Sequence, residues 1–243
     1  MCYSTALRKQ KETIEKNLRD KLNVTFGVEG AYEPYFHLNG FTHGNLQVIK
    51  MDAPKTILPA TWGLVPDWAK NNPESFRKKS NTLNARAESI FEKTTYKHSA
   101  ANKRCLILAD GFFEPHHLNA IATPYFCFQP NTEYPEGDLF LFAGLYNELD
   151  NDAISATILT VEADAFFAEV HNKQKRMPLV LDENYYKDWL DIDLSVPMIK
   201  ELIVSGFTTK EFKAHPVSRD LYQKDINSNK SYIIQEVFKD TLF

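Results

Sequence analysis

The chain has 243 residues and a mass of 28.0 kDa, with 43% hydrophobic, 25% charged and 13% aromatic residues and only nine glycines and twelve prolines. This composition excludes disordered, collagen-like and low-complexity classes, and the length suffices for one large domain burying roughly 70–75% of its unfolded surface. Twenty-eight basic against 32 acidic side chains leave a net charge of -4, so no global field draws the chain to nucleic acid or to an anionic membrane, and such binding has to come from a local patch.

Residues 5–22 carry Leu7, Ile14, Leu18 and Leu22 at helical spacing among Lys, Arg and Glu, which predicts an amphipathic surface helix capped by Ser4 or Thr5. Over 44–66, NLQVIKM and TILPATWGLV predict short strands interrupted by Pro54 and Pro59. Further strand-like runs are RCLILADGFFEP, PYFCFQP, LFLFAGLYNEL, SATILTV and MPLVL, with ADAFFAEV and DENYYKDWL as brief helices between them. Residues 131–138 form a polar loop. SVPMIKELIVSG predicts a late helix capped at Ser195 and stopped at Gly206, and FTTKEFKAHPVS a closing strand. Strands that follow one another with turns between them, without a βαβ repeat, indicate a single, mainly antiparallel α+β domain.

Three cysteines, Cys2, Cys105 and Cys127, are too few and too dispersed for a disulfide framework or a metal knuckle. No stretch reaches the roughly 18–20 apolar residues of a membrane span, and the first residues lack the apolar core of a signal peptide. A cytoplasmic protein with no membrane partner is expected.

Charge is unevenly distributed. Between Arg77 and Arg104 there are eight basic and two acidic residues, whereas Glu133 to Asp152 holds six acidic residues and no basic one. The basic run is either a solvated face or, with Trp62, Trp68, Phe76, Phe91 and Tyr96 interleaved, a groove in which single-stranded nucleic acid meets cations and stacks its bases.

Four positions offer chemistry. Removal of Met1 would leave Cys2 with an α-amine of pKa about 7.7–8.0 next to a thiol of about 8.5. Such an aminothiol forms a Schiff base with an aldehyde and closes it to a thiazolidine; otherwise Cys2 is simply a cysteine in second place. Asn84, in Asn84-Ala85-Arg86-Ala87-Glu88, reads equally as a turn residue. Glu114, after Phe112 and Phe113, is either a strand end or a carboxyl whose pKa a half-dry pocket raises toward neutrality. His171 is either a structural histidine or a proton carrier. His116 and His117 have no third ligand at a recognisable spacing and read as a surface turn, so no metal is expected.

In order along the chain, Met1-Cys2, WGLVPDW at 62–68, NARAES at 84–89, RCLILADGFFE at 104–114, FAGLY at 142–146 and a histidine before RMPLVL resemble the SRAP family, the SOS response-associated peptidase-like proteins that crosslink to abasic sites in DNA. The resemblance covers residues 1 to about 220 of a single domain and leaves 221–243 as a tail. It implies a barrel-like antiparallel sheet flanked by short helices and a cationic groove for single-stranded DNA. It further implies that Cys2 forms the thiazolidine, Asn84 positions it, Glu114 shuttles protons and His171 assists sugar ring opening. Arg86 would hold phosphate, with Trp62, Trp68, Arg77, Lys93 and Arg104 completing the DNA surface. A thiol autopeptidase that removes Met1 and abasic-site lyase activity are also implied; a monomer without a cofactor is expected beside this. The family usually begins Met-Cys-Gly-Arg, and this chain begins Met1-Cys2-Tyr3-Ser4. Two other readings stand beside this one: an N-terminal-nucleophile amidohydrolase, and a non-covalent single-strand binding module with an inert Cys2.

Overall fold

The structure is a computed structural model that describes residues 2–119, 121–150 and 152–237. In chain order it comprises β1 (Ser4–Leu7), α1 (Lys11–Leu18), β2 (Thr25–Phe26), β3 (Tyr35–Asn39), β4 (Asn45–Lys50), β5 (Ala53–Trp62), α2 (Pro73–Lys79), β6 (Asn84–Arg86), α3 (Lys97–Asn102), β7 (Arg104–Ala109) and β8 (Gly111–Leu118). There follow β9 (Ile121–Phe128), β10 (Phe140–Glu148), β11 (Ile154–Glu162), α4 (Ala165–Val170), β12 (Arg176–Pro178), β13 (Val180–Leu181), α5 (Tyr186–Trp189), α6 (Val196–Ser205) and β14 (Lys213–Pro216). This is the mainly antiparallel α+β single domain that the sequence predicts.

One sheet runs β12-β11-β10-β7-β4-β5-β2, and a parallel pairing of Ser155 with Thr61 and Ala156 with Trp62 joins β11 back to β5. Strands β4, β5, β11, β10 and β7 therefore close into a ring. Its central staves are continuous apolar runs, since RCLILA of β7 is buried along its whole length, as a strand covered on both faces must be. The second sheet runs β14-β9-β8-β1-β3. Because side chains alternate along β8, Phe112 enters the main core while Phe113 enters a smaller cluster with Ala6, Phe126, Val217, Leu221 and Ile233. Asp110 makes the corner between the two sheets: its carboxylate accepts from the Arg8 backbone N–H at 2.8 Å and from Arg8 Nε at 2.9 Å.

Several local expectations are corrected. Residues 4–7 form β1, and the helix begins only at Lys11, with Gln10 rather than Ser4 or Thr5 at its N-cap. Leu7 matched the helical spacing, but ladders to both β3 and β8 claim its segment. Pro54 and Pro59 do not interrupt β5. Pro59 falls between the pairings to β2, which end at Ile57, and those to β11, which begin at Thr61, so its missing N–H removes no bond on that edge. The run RCLILADGFFEP is two strands in two sheets, and His116 and His117 lie within β8 rather than in a turn. The described part of the expected tail is packed: Leu221 and Ile233 are buried, and the Val237 N–H donates to the Pro216 carbonyl at 2.9 Å. Among the described residues no helix is long and apolar enough to cross a membrane.

Candidate functional site

Strand β1 is internal, paired with β8 through Ser4–Phe113 and Thr5–Phe112 and with β3 through Ser4–Asn39 and Thr5–Leu38. Cys2 and Tyr3 immediately precede this strand, and Glu114 follows Phe113 on β8. Cys2 is fully buried, and its carbonyl accepts from Asn84 Nδ2 at 2.7 Å. Burial pushes the Cys2 thiol well above its ordinary range, and the Glu114 charge pushes it the same way. The resting sulfur is therefore a protonated thiol.

Glu114 is buried on the same face of β8 as Phe112, and this burial raises its carboxyl to about 7. His171 follows α4, which Asp164 caps by accepting from the Phe167 N–H at 2.8 Å. Its Nδ1 lies 3.0 Å from the Arg176 carbonyl and 3.3 Å from Glu114 Oε2. A carbonyl only accepts, so Nδ1 carries the proton and Nε2 is the acceptor of the neutral ring. Burial lowers His171 to about 4, which keeps it neutral at physiological pH.

Asn84 opens β6, a three-residue strand held parallel to β11 through Ile158, Leu159 and Thr160. Its own carbonyl accepts from the Tyr96 hydroxyl at 3.3 Å, and its Oδ1 is buried with no partner among the described residues. Arg86, two residues on, is exposed. The chain thus brings Cys2, Asn84, Glu114 and His171 together from four separate segments. Sequence reasoning did not give Arg176 a role. Its carbonyl orients His171 while its guanidinium forms a two-pronged ion pair with Glu88 at 2.8 and 2.9 Å.

Of the side chains expected to meet DNA, two are buried in the core. Trp62 is fully buried, with its indole N–H donating to the Leu83 carbonyl at 2.8 Å, and it belongs to the core rather than to a stacking platform. Arg104 is likewise buried, its guanidinium donating to the carbonyls of Trp189 at 3.0 Å, Ala101 at 2.8 Å and Asp191. Both side chains are spent on backbone acceptors and offer nothing to a phosphate. Trp68 is 65% exposed and edge-on to Phe76, and Lys93 is exposed. Arg77 is half-buried on α2, and its Nε and Nη2 have no partner among the described residues.

The family model for SOS response associated peptidase (SRAP) matches residues 1–224. The chain belongs to the SRAP family. It is 31% identical over 252 residues to the abasic site processing protein HMCES of Xenopus tropicalis, covering 90% of this chain and 73% of that protein. It is 28% identical over 203 residues to the abasic site processing protein YoqW of Bacillus subtilis, covering 79% and 83%. A crystal structure of a protein from Bacteroides thetaiotaomicron superposes with a TM-score of 0.78 at 24% identity, covering 98% of this chain and all of that one, and supports the fold.

In this SRAP chain the site also has an aromatic margin that motif reading passed over. Tyr3 packs on Phe41 with ring centroids 4.9 Å apart, and Tyr222 stands exposed on the segment after β14. Tyr3 adjoins Cys2 in sequence and was readable as such; Phe41 and Tyr222 come close only in the fold. Among the described residues, no group of three or more His, Cys, Asp or Glu is placed to hold a metal ion.

Proposed function

We propose that this chain captures abasic sites in single-stranded DNA covalently, through the aminothiol that Cys2 acquires when Met1 is removed, and so shields them. The observation that carries the reading is a cysteine pinned by Asn84 beside a buried carboxyl–imidazole pair whose proton affinities suit Schiff-base chemistry. The names of the relatives, abasic site processing proteins, agree with it.

The residues divide the work as follows. Neutral His171 takes the anomeric hydroxyl proton of the cyclic sugar through Nε2 and returns it to the ring oxygen as the C1′–O4′ bond breaks, which releases the C1′ aldehyde and a free 4′-hydroxyl. The neutral Cys2 amine attacks that carbon; the thiol, held protonated by burial, is not yet a competitor. Glu114 in its acid form gives a proton to the departing hydroxyl, water leaves, and a C=N bond remains. The Cys2 sulfur then adds to the imine carbon while its proton reaches the nitrogen by way of the Glu114 carboxylate, closing the five-membered ring. Protein and aldehyde combine with net loss of one water. The unpartnered Asn84 Oδ1 accepts from a sugar hydroxyl freed by ring opening.

Two further activities use the same groups. Attack of the Cys2 sulfur on the Met1 carbonyl breaks the peptide bond, frees the α-amine and leaves a thioester that water hydrolyses, which is removal of Met1 by the chain itself. At the imine stage, loss of the acidified C2′ proton expels the 3′ phosphate, which is lyase chemistry. Arg86, Lys93 and Arg77 serve phosphates and Trp68 a base, with little sequence preference because an abasic site has no base to read.

The test is intact mass under denaturing conditions after mixing with a single-stranded oligonucleotide that carries one abasic site. The expected species is protein lacking Met1 plus oligonucleotide minus one water, absent with Cys2→Ala. Binding without any adduct, from a chain whose Cys2 amine is free, would leave a non-covalent binding module instead.

A further inference from the structure

On the face of β8 opposite Glu114 lies a cavity of about 720 Å³. Phe113, Pro115 and His117 form its floor, as every second residue of the strand must. Tyr3, Phe41, Tyr222 and Lys224 also line it, together with the polar Asn39 and Gln223. Phe41 is 60% and Tyr222 45% exposed, so two large rings face solvent across a mostly apolar hollow. Rings left this exposed beside a reactive centre call for an occupant.

The backbone beside the cavity is tied down by hydrogen bonds. The Gly40 N–H donates to the Tyr3 carbonyl at 2.8 Å, and the Asn39 side chain accepts from the Phe41 N–H at 3.0 Å. His37 is buried between two hydroxyls, with Nε2 3.0 Å from Ser4 Oγ and Nδ1 2.6 Å from Ser228 Oγ. Asn229 Oδ1 accepts from the Phe36 N–H at 2.8 Å. These contacts tie the segment that follows Tyr222 to β3 and β1.

We infer that this cavity is a stacking site for the nucleobase next to the abasic sugar, held between Tyr3–Phe41 and Tyr222 with Lys224 toward the phosphate. The inference rests on the capture reading above and extends it. The Cα atoms of Cys2 and Tyr3 stand one peptide spacing, ~3.8 Å, apart, so a sugar joined to Cys2 brings its adjoining nucleotide toward the ring of Tyr3. The sugar itself brings no base, so affinity from stacking has to come from that neighbour. Aromatic faces suit any base, and a single lysine among the lining residues suits a base whose backbone stays in water.

Non-covalent affinity tests this with oligonucleotides whose central tetrahydrofuran analogue has no aldehyde and forms no adduct. One probe has ordinary bases on both sides of the analogue; the other has tetrahydrofuran there as well. The wild type is expected to bind the base-flanked probe roughly 5- to 150-fold more tightly. Phe41→Ala combined with Tyr222→Leu should abolish most of that preference while leaving binding of the base-free probe unchanged; both side chains are exposed, and thermal melting verifies the fold. A double variant that keeps the wild-type preference, or a wild type with none, overturns the inference. An aldehyde oligonucleotide in parallel separates the two readings. An adduct with unaltered base preference in the double variant removes the stacking site alone, whereas no adduct with the wild type removes the capture reading whatever the base preference.

Discussion

Glu114 and His171, 3.3 Å apart, are both driven toward their neutral forms by burial, to about 7 and about 4. For Glu114 the folded value lies above the unfolded one, so its contribution to stability is full below about 4.5 and falls as pH rises to about 7. For His171, and for His37, which burial also lowers to about 4, the contribution is full above about 6.5 and is lost as pH falls toward 4. Glu114→Gln therefore should melt with the wild type at pH 4 and be more stable than it at pH 8, by at most about 3 kcal/mol, in parallel thermal melts. The same variant should form adduct about 10²- to 10⁴-fold more slowly at neutral pH and lose the alkaline fall in rate that the wild type shows above about 7. A variant with unchanged rate would leave Glu114 without a role in proton transfer. The four residues that the fold groups here, Cys2, Asn84, Glu114 and His171, could be picked out beforehand because each sits in a short recognisable run. Trp62 and Arg104 were misread because the sequence neighbours of a Trp or an Arg do not reveal whether backbone carbonyls lie waiting in the core.

Among the elements, the join between β5 and β11 is the shortest ladder in the ring, and Gly63 completes it. The Gly63 N–H donates to the Ala156 carbonyl at 2.8 Å from a backbone with φ of +116°, and a Cβ there would stand 3.0 Å from His43 Nδ1. Gly63→Ala should cost about 1–3 kcal/mol in denaturant melts. A neutral result would show that the ring tolerates slack at its join. The strands of this ring were readable from their apolar runs, and α6 from its serine, glycine and periodicity. The split of MPLVL into β12, paired with β11, and β13, paired with β10, was not, because the switch of partner is decided by the neighbouring strands. The start of α1 was hidden for a related reason: Ser4–Leu7, of which only Leu7 shared the helical spacing, form a strand with two partners.

Across the whole molecule, the basic run of 77–104 is less of a surface than its count suggests. Arg104 faces inward, and Lys103 donates to Asn147 at 2.8 Å and lies 3.8 Å from Glu148, within the acidic stretch. Lys78, Lys79, Arg86, Lys93 and Lys97 remain exposed. Arg86→Glu should weaken single-strand binding and reduce the slope of log K against log salt by about 0.7 or more. Arg104→Met should leave that slope unchanged and lower stability by about 2–4 kcal/mol, because buried carbonyls lose a charged donor. An unchanged slope in Arg86→Glu would take Arg86 out of the groove.

The internal position of β1 has a mechanical consequence. Under the proposed capture, a machine moving along DNA and pulling on a sugar joined to Cys2 would load the end of a strand flanked by β3 and β8, along its axis. Both ladders are then strained in shear, all their bonds sharing the force, rather than peeled apart one at a time as at a sheet edge. Release of the strand would require rupture of the sheet as a unit, so the protein would stay folded as a roadblock at the lesion.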